Sequence, residues 1–129
     1  MKLNNIQKDY IDKKLLALNR SKFRSSFHLR KYMIEYINEK GMNTIEKHCE
    51  EFIEKNLSIT LPNDGKQTPT KNHPVFIAQH ATATCCRGCI NKWYHISKDR
   101  KLTDKEKRFI KALIIEWINK ELNNVNKKN

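Results

Sequence analysis

Six apolar side chains near the C-terminal end, Ile110, Leu113, Ile114, Trp117, Ile118 and Leu122, stand three and four residues apart. That spacing lines one face of an α-helix and of nothing else. Thr103 and Glu106 precede them as a capping box, in which each side chain satisfies an end amide of the other residue. The same period recurs upstream. Leu3, Ile6, Tyr10, Leu15 and Leu18 give a looser stripe, and Leu29, Tyr32, Met33, Tyr36 and Ile37 a second one that stops at Gly41. Asn43 and Glu46 read as another capping box, followed by Ile45, Cys49, Phe52, Ile53 and Leu57. Two helices joined so tightly form a helical hairpin, which reads as a packed pair in an all-α core before it reads as a nucleic-acid reader.

Residues 58–72 lose this period and carry Pro62, Asp64-Gly65 and Pro69, so they form one long loop. Pro74 suits the first turn of a short helix over 75–81. Cys86, Cys89, Ile90 and Trp93 predict a further helix ending near His95. The expected fold is an all-α, single compact domain of about five to six helices with one long loop. A basic N-terminal helix and connector span 1–22, the helical core 23–122, and a frayed polar tail 123–129. A chain of 129 residues has the material for one core.

Charge is the second constraint. Lys and Arg number 26 against 14 acidic residues, a formal charge of +12, which draws polyanions across a Debye length. Nucleic acid is the expected partner, with Arg24, Arg30, Lys31, Arg87, Lys92, Lys98 and Arg100 as the phosphate-contacting candidates among Phe23, Phe27, Trp93 and Tyr94. The plain alternative is that lysines solvate helix faces. No apolar run approaches the roughly 20 residues that span a bilayer, and the N-terminus lacks the apolar stretch of a secretory signal. The expectation is therefore a cytoplasmic protein without a membrane role.

Three of the four cysteines, Cys85, Cys86 and Cys89, fall within five positions, unlike the dispersed framework of a disulfide-stapled domain. Cys86 and Cys89 have the C-x-x-C spacing that lets two sulfurs converge on one zinc, so zinc is the candidate cofactor, with His80 and Cys85 completing a metal set of His80, Cys85, Cys86 and Cys89. A second C-x-x-C is absent, and the competing reading makes Cys86 and Cys89 small buried hydrophobes.

Whether the chain is an enzyme is open on these residues. A catalytic reading takes His73 or His80 as general base, Cys as nucleophile, and Asp64 and Lys66 as polar groups, in a cleft between the 63–70 loop and the 73–89 block, acting on a nucleic acid or nucleotide. Asp64 and Lys66 lack the second carboxylate of a metal-dependent nuclease. The 64–68 loop lacks the full phosphate-binding pattern of an ATPase. A third reading is an interaction module for an acidic protein.

The blocks NDGKQTP at 63–69 and HPVFIAQHATATCCRGC at 73–89 resemble an uncharacterised family of small bacterial proteins, a domain of unknown function, from about Phe23 to Trp117. The resemblance implies a family label without a mechanism. It also implies a histidine directly after the tryptophan of the next helix, whereas this chain reads Trp93-Tyr94-His95. That displacement argues against His95 as an obligatory ligand.

Overall fold

The computed structural model describes residues 3–128. Among them the chain is all helical: α1 (Asn5–Asn19), a 3-10 turn (Arg24–Ser26), α2 (Lys31–Lys40), α3 (Met42–Leu57), α4 (Pro74–Ala81), α5 (Arg87–Tyr94) and α6 (Asp104–Lys128). The α6 stripe is the spine. Ile110, Leu113, Ile114 and Ile118 are fully buried, and α1, α3 and α4 all pack against this helix. Thr103 and Glu106 cap it as expected, with Glu106 N donating to Thr103 Oγ1 at 3.1 Å and Thr103 N to Glu106 Oε1 at 2.9 Å.

Three local expectations are corrected. The α1 stripe buries Ile11, Leu15 and Leu18, while Ile6 and Tyr10 are exposed, because the face turned to α6 is the one offset toward Ile11. Helix α1 is capped instead by Asn4, which with Gln7 forms a capping box. Asn43 is not a cap: Gly41, at φ +83°, ends α2 and starts α3 in one residue, a left-handed-side conformation that favours glycine. Glu46, already inside α3, lies 3.5 Å from Lys111 Nζ. Helix α6 continues through Lys128, so residues 123–128 extend the helix where the polar composition predicts fraying; Asn129 lies outside the described residues.

The long loop is tied down at intervals. Gln67 Nε2 donates to Asp64 Oδ1 at 2.9 Å, Thr68 Oγ1 to the Cys85 carbonyl at 2.7 Å, and Asn72 N to the Tyr32 hydroxyl at 2.9 Å. No helix among the described residues is long and apolar enough to cross a membrane.

Candidate metal centre

The segment between α4 and α5 reverses direction sharply. Thr84 N donates to Gln79 O at 2.8 Å and Ala83 N to His80 O at 3.4 Å, the paired bonds of a Schellman ending, with Ala83 at φ +58° where glycine is usual. The turn delivers Cys85 and Cys86 to the N-terminus of α5. Cys86 does not belong to the helical stripe with Cys89, Ile90 and Trp93 that the spacing predicts. It is the N-cap residue, extended at φ −160°, and its Sγ accepts from Cys89 N at 3.4 Å. Asp64 caps the two preceding amides: Oδ1 accepts from Arg87 N at 2.9 Å and Oδ2 from Gly88 N at 3.0 Å. The first three amides of α5 are thus satisfied by one carboxylate and one sulfur.

This capping brings the three sulfurs together. The Sγ atoms of Cys85, Cys86 and Cys89 all lie within 4.8 Å of one another, with Cys85 and Cys89 3.7 Å apart. Cys85 and Cys86 are buried and Cys89 half-buried. Arg24, from the 3-10 turn, closes the group: Nη2 donates to Cys89 Sγ at 3.2 Å, Nη1 reaches Cys85 Sγ at 3.8 Å, and Nη1 also donates to the His80 carbonyl at 2.8 Å.

The electrostatics follow from those contacts. Hydrogen bonds from Cys85 and Cys86, aided by Arg24, push the Cys89 thiol far below its ordinary value. Its contacts with Cys86 and Cys89, together with burial, push Cys85 up. Cys86 is pulled down by Cys85 but raised overall by Cys89 and by burial. Negative charge is thus favoured on Cys89, beside the Arg24 guanidinium. Arg24 itself is raised, since the contacts with Cys89 and Cys85 outweigh its burial. Burial would lift the Asp64 carboxyl, yet the bonds from Gln67 and from the Arg87 and Gly88 amides hold it below the usual range. Three thiolate-forming sulfurs in this arrangement can hold a metal ion.

The remaining candidates are placed elsewhere. His80 stays outside the sulfur group, its Nε2 2.9 Å from the Thr68 carbonyl and its ring stacked on Phe27 at 5.3 Å. His73 caps α4, its Nδ1 accepting from Val75 N at 3.0 Å, and its Nε2 lies 3.0 Å from His48 Nδ1. With Nδ1 an acceptor, Nε2 must carry the proton and donate to His48. Burial, then His48, pushes His73 down to about 4. Lys66 is exposed. The cleft expected between the 63–70 loop and the 73–89 block is bridged by Asp64 and Thr68, so His73, His80 and Asp64 do not converge on one space. His95 is an exposed, left-handed C-cap of α5.

Two of the seven expected phosphate contacts point inward. Arg24 belongs to the sulfur group, and Arg87 is fully buried, donating to the carbonyls of Leu57, Ser58, Ser97 and Arg100. Arg30, Lys31, Lys92 and Lys98 are exposed, and Arg100 is exposed but paired bidentately with Glu106 at 2.8 Å. No local signal marks Arg24 as a sulfur partner, because it lies 61 residues from Cys85.

Helices closed around a three-cysteine cluster with an arginine counter-cation define a small, all-α thiol-cluster domain. The chain belongs to the family described as Domain of unknown function (DUF4186), which matches residues 12–119 and so takes in every group of the cluster. No solved structure matches the chain.

Proposed function

We propose that this protein is a metal-thiolate protein that holds its ion between Cys85, Cys86 and Cys89. The observation that carries the reading is the convergence of three sulfurs within 4.8 Å. Cys49 supplies the internal contrast. It lies alone in the apolar core on α3, fully buried, and burial pushes its thiol up to about 12, which is how a cysteine used as a small hydrophobe behaves. The other three are packed on each other and on a guanidinium, an arrangement that apolar burial alone does not reward. Zinc, the ion expected from the C-x-x-C spacing, suits sulfur donors and takes a fourth ligand from outside the three.

Elemental analysis of untagged protein tests this, with a Cys86→Ser, Cys89→Ser double variant as control. About one equivalent of metal in the wild type and none in the variant is the expected result, with a melting temperature that falls when a chelator strips the ion. Wild-type protein that holds no metal and takes none up on titration overturns the reading.

A second reading, binding of nucleic acid, is favoured by the charge. Setting aside the buried Arg24 and Arg87 leaves 24 basic residues against 14 acidic ones, an excess still large enough to hold a polyanion. Oligonucleotide affinity that falls steeply with salt is expected; affinity for an acidic protein but none for oligonucleotides would replace the partner.

A further inference from the structure

We infer that the ion is copper(I), held by sulfur alone in two- to three-coordinate geometry; the inference rests on the metal-thiolate reading above. The first ground is the donor set. It ends at three sulfurs, and no imidazole nitrogen or carboxylate oxygen among the described residues joins them. His80 and Asp64 stay outside the group. His80 Nε2 lies 2.9 Å from the Thr68 carbonyl, and both Asp64 oxygens accept from the amides that open α5. A structural zinc is almost always four-coordinate, whereas thiolates also select copper(I), which is satisfied by two or three soft donors.

The second ground is what touches the sulfurs. Arg24 stays charged and cannot ligate. It contacts Cys89 and Cys85 but not Cys86, which is occupied in capping α5. One monovalent ion between these sulfurs is coordinatively complete, with the Arg24 guanidinium beside Cys85 and Cys89. A structural zinc on the same three sulfurs still lacks its fourth ligand. The spacing has room for one ion: sulfurs about 2.3 Å from it stand about 4 Å apart, against 3.7 Å for Cys85–Cys89 and at most 4.8 Å across the group, so the number of donors and not their spacing separates copper(I) from zinc.

The test uses the full chain, reduced and free of oxygen. Copper(I), delivered as its acetonitrile complex, is titrated against a chromophoric copper(I) chelator, and zinc in parallel against a zinc chelator, with X-ray absorption reading the first shell. One copper(I) per chain with two or three sulfurs and no nitrogen or oxygen is expected. Cys89→Ser should cost about 100-fold in copper(I) affinity and Cys86→Ser about tenfold, the range over which ligand and supporting groups act. Serine is a strong N-cap, so Cys86→Ser keeps α5 intact. Equal losses from the two variants overturn the lesser role of Cys86, whose sulfur caps α5 and does not touch Arg24. A four-coordinate zinc site with a nitrogen or oxygen ligand that copper(I) does not displace, or a polynuclear copper cluster, overturns the ion and leaves the metal-thiolate reading standing. Binding of neither metal by protein with a helical circular-dichroism spectrum overturns both.

Discussion

Arg87→Met is the perturbation that most directly tests how this fold is held. The Arg87 side chain is 0% exposed. Its Nη1 donates to the Leu57 and Ser58 carbonyls, both at 3.2 Å, and its Nη2 to Ser97 at 2.5 Å and Arg100 at 3.0 Å. The guanidinium thereby joins the C-terminus of α3, the turn ahead of α6 and the first turn of α5. Ser58 O keeps a second donor in Leu102 N at 2.9 Å, so methionine strands three carbonyls. Each stranded group costs about 1–3 kcal/mol. Against that, the variant recovers the desolvation of the guanidinium, which lowers the affinity of Arg87 for its own proton and leaves Nε without a partner.

The net loss should be about 3–5 kcal/mol, the usual cost of removing one side of a buried charged network, and a drop in melting temperature of about 10–20 °C. Arg87→Lys, with three donors in place of a planar fork, should lose about 1–3 kcal/mol. Urea unfolding reads both as a lower midpoint at unchanged slope. A methionine variant within 1 kcal/mol of wild type, or one more stable than the lysine variant, would refute the claim that this charge clamps three segments.

Acid should weaken the fold through His73. Its folded value near 4 lies below the ordinary 6.5, so the folded state binds fewer protons between those values; stability is complete above about pH 6.5 and declines as pH falls toward 4. The full shift corresponds to about 3.4 kcal/mol, which partial solvation of the ring reduces to about 1–2. His73→Asn, which retains an N-cap, should flatten the urea midpoint between pH 7 and pH 4.5; an unchanged slope in that variant refutes the assignment. Asp64→Ala should cost about 1–2 kcal/mol by freeing two helix-end amides, with hydrogen exchange accelerating at Arg87 and Gly88 before the rest of α5. In metal-free protein a thiol reagent should modify Cys89 first and Cys49 last, and Cys49→Ala should leave metal stoichiometry unchanged; modification of Cys49 ahead of the cluster would contradict its burial.

The helices were legible because burial of one face leaves a period in the sequence, clearest in α6, where Ile110 through Ile118 carry it with a capping box in front. The α1 stripe misled because it was drawn through Tyr10, five and eight residues from Leu15 and Leu18, whereas Ile11, four and seven away, shares their face and is buried with them. The sulfurs were legible as a C-x-x-C pair, and Cys85 as a further candidate. What could not be read was the polar wiring. Arginines are taken as solvated unless a buried acceptor set exists, and the acceptors of Arg87 come from two segments, one of them 30 residues away. Asp64, read as a catalytic or phosphate-binding group, instead caps a helix 23 residues downstream.

That wiring bears on what an ion would contribute. In a zinc finger the metal-free chain is unfolded, and the binding energy is spent on folding. Here protein groups tie the sulfurs to the fold: Asp64 and Cys86 close the start of α5, Thr68 holds the Cys85 carbonyl, and Arg24 is anchored on the His80 carbonyl. The apolar core draws on every helix, and of the three cluster cysteines only Cys89 packs against it. Metal binding to such a site raises stability by mass action alone, about 4 kcal/mol at a thousandfold excess over the dissociation constant, and its loss should leave a folded domain.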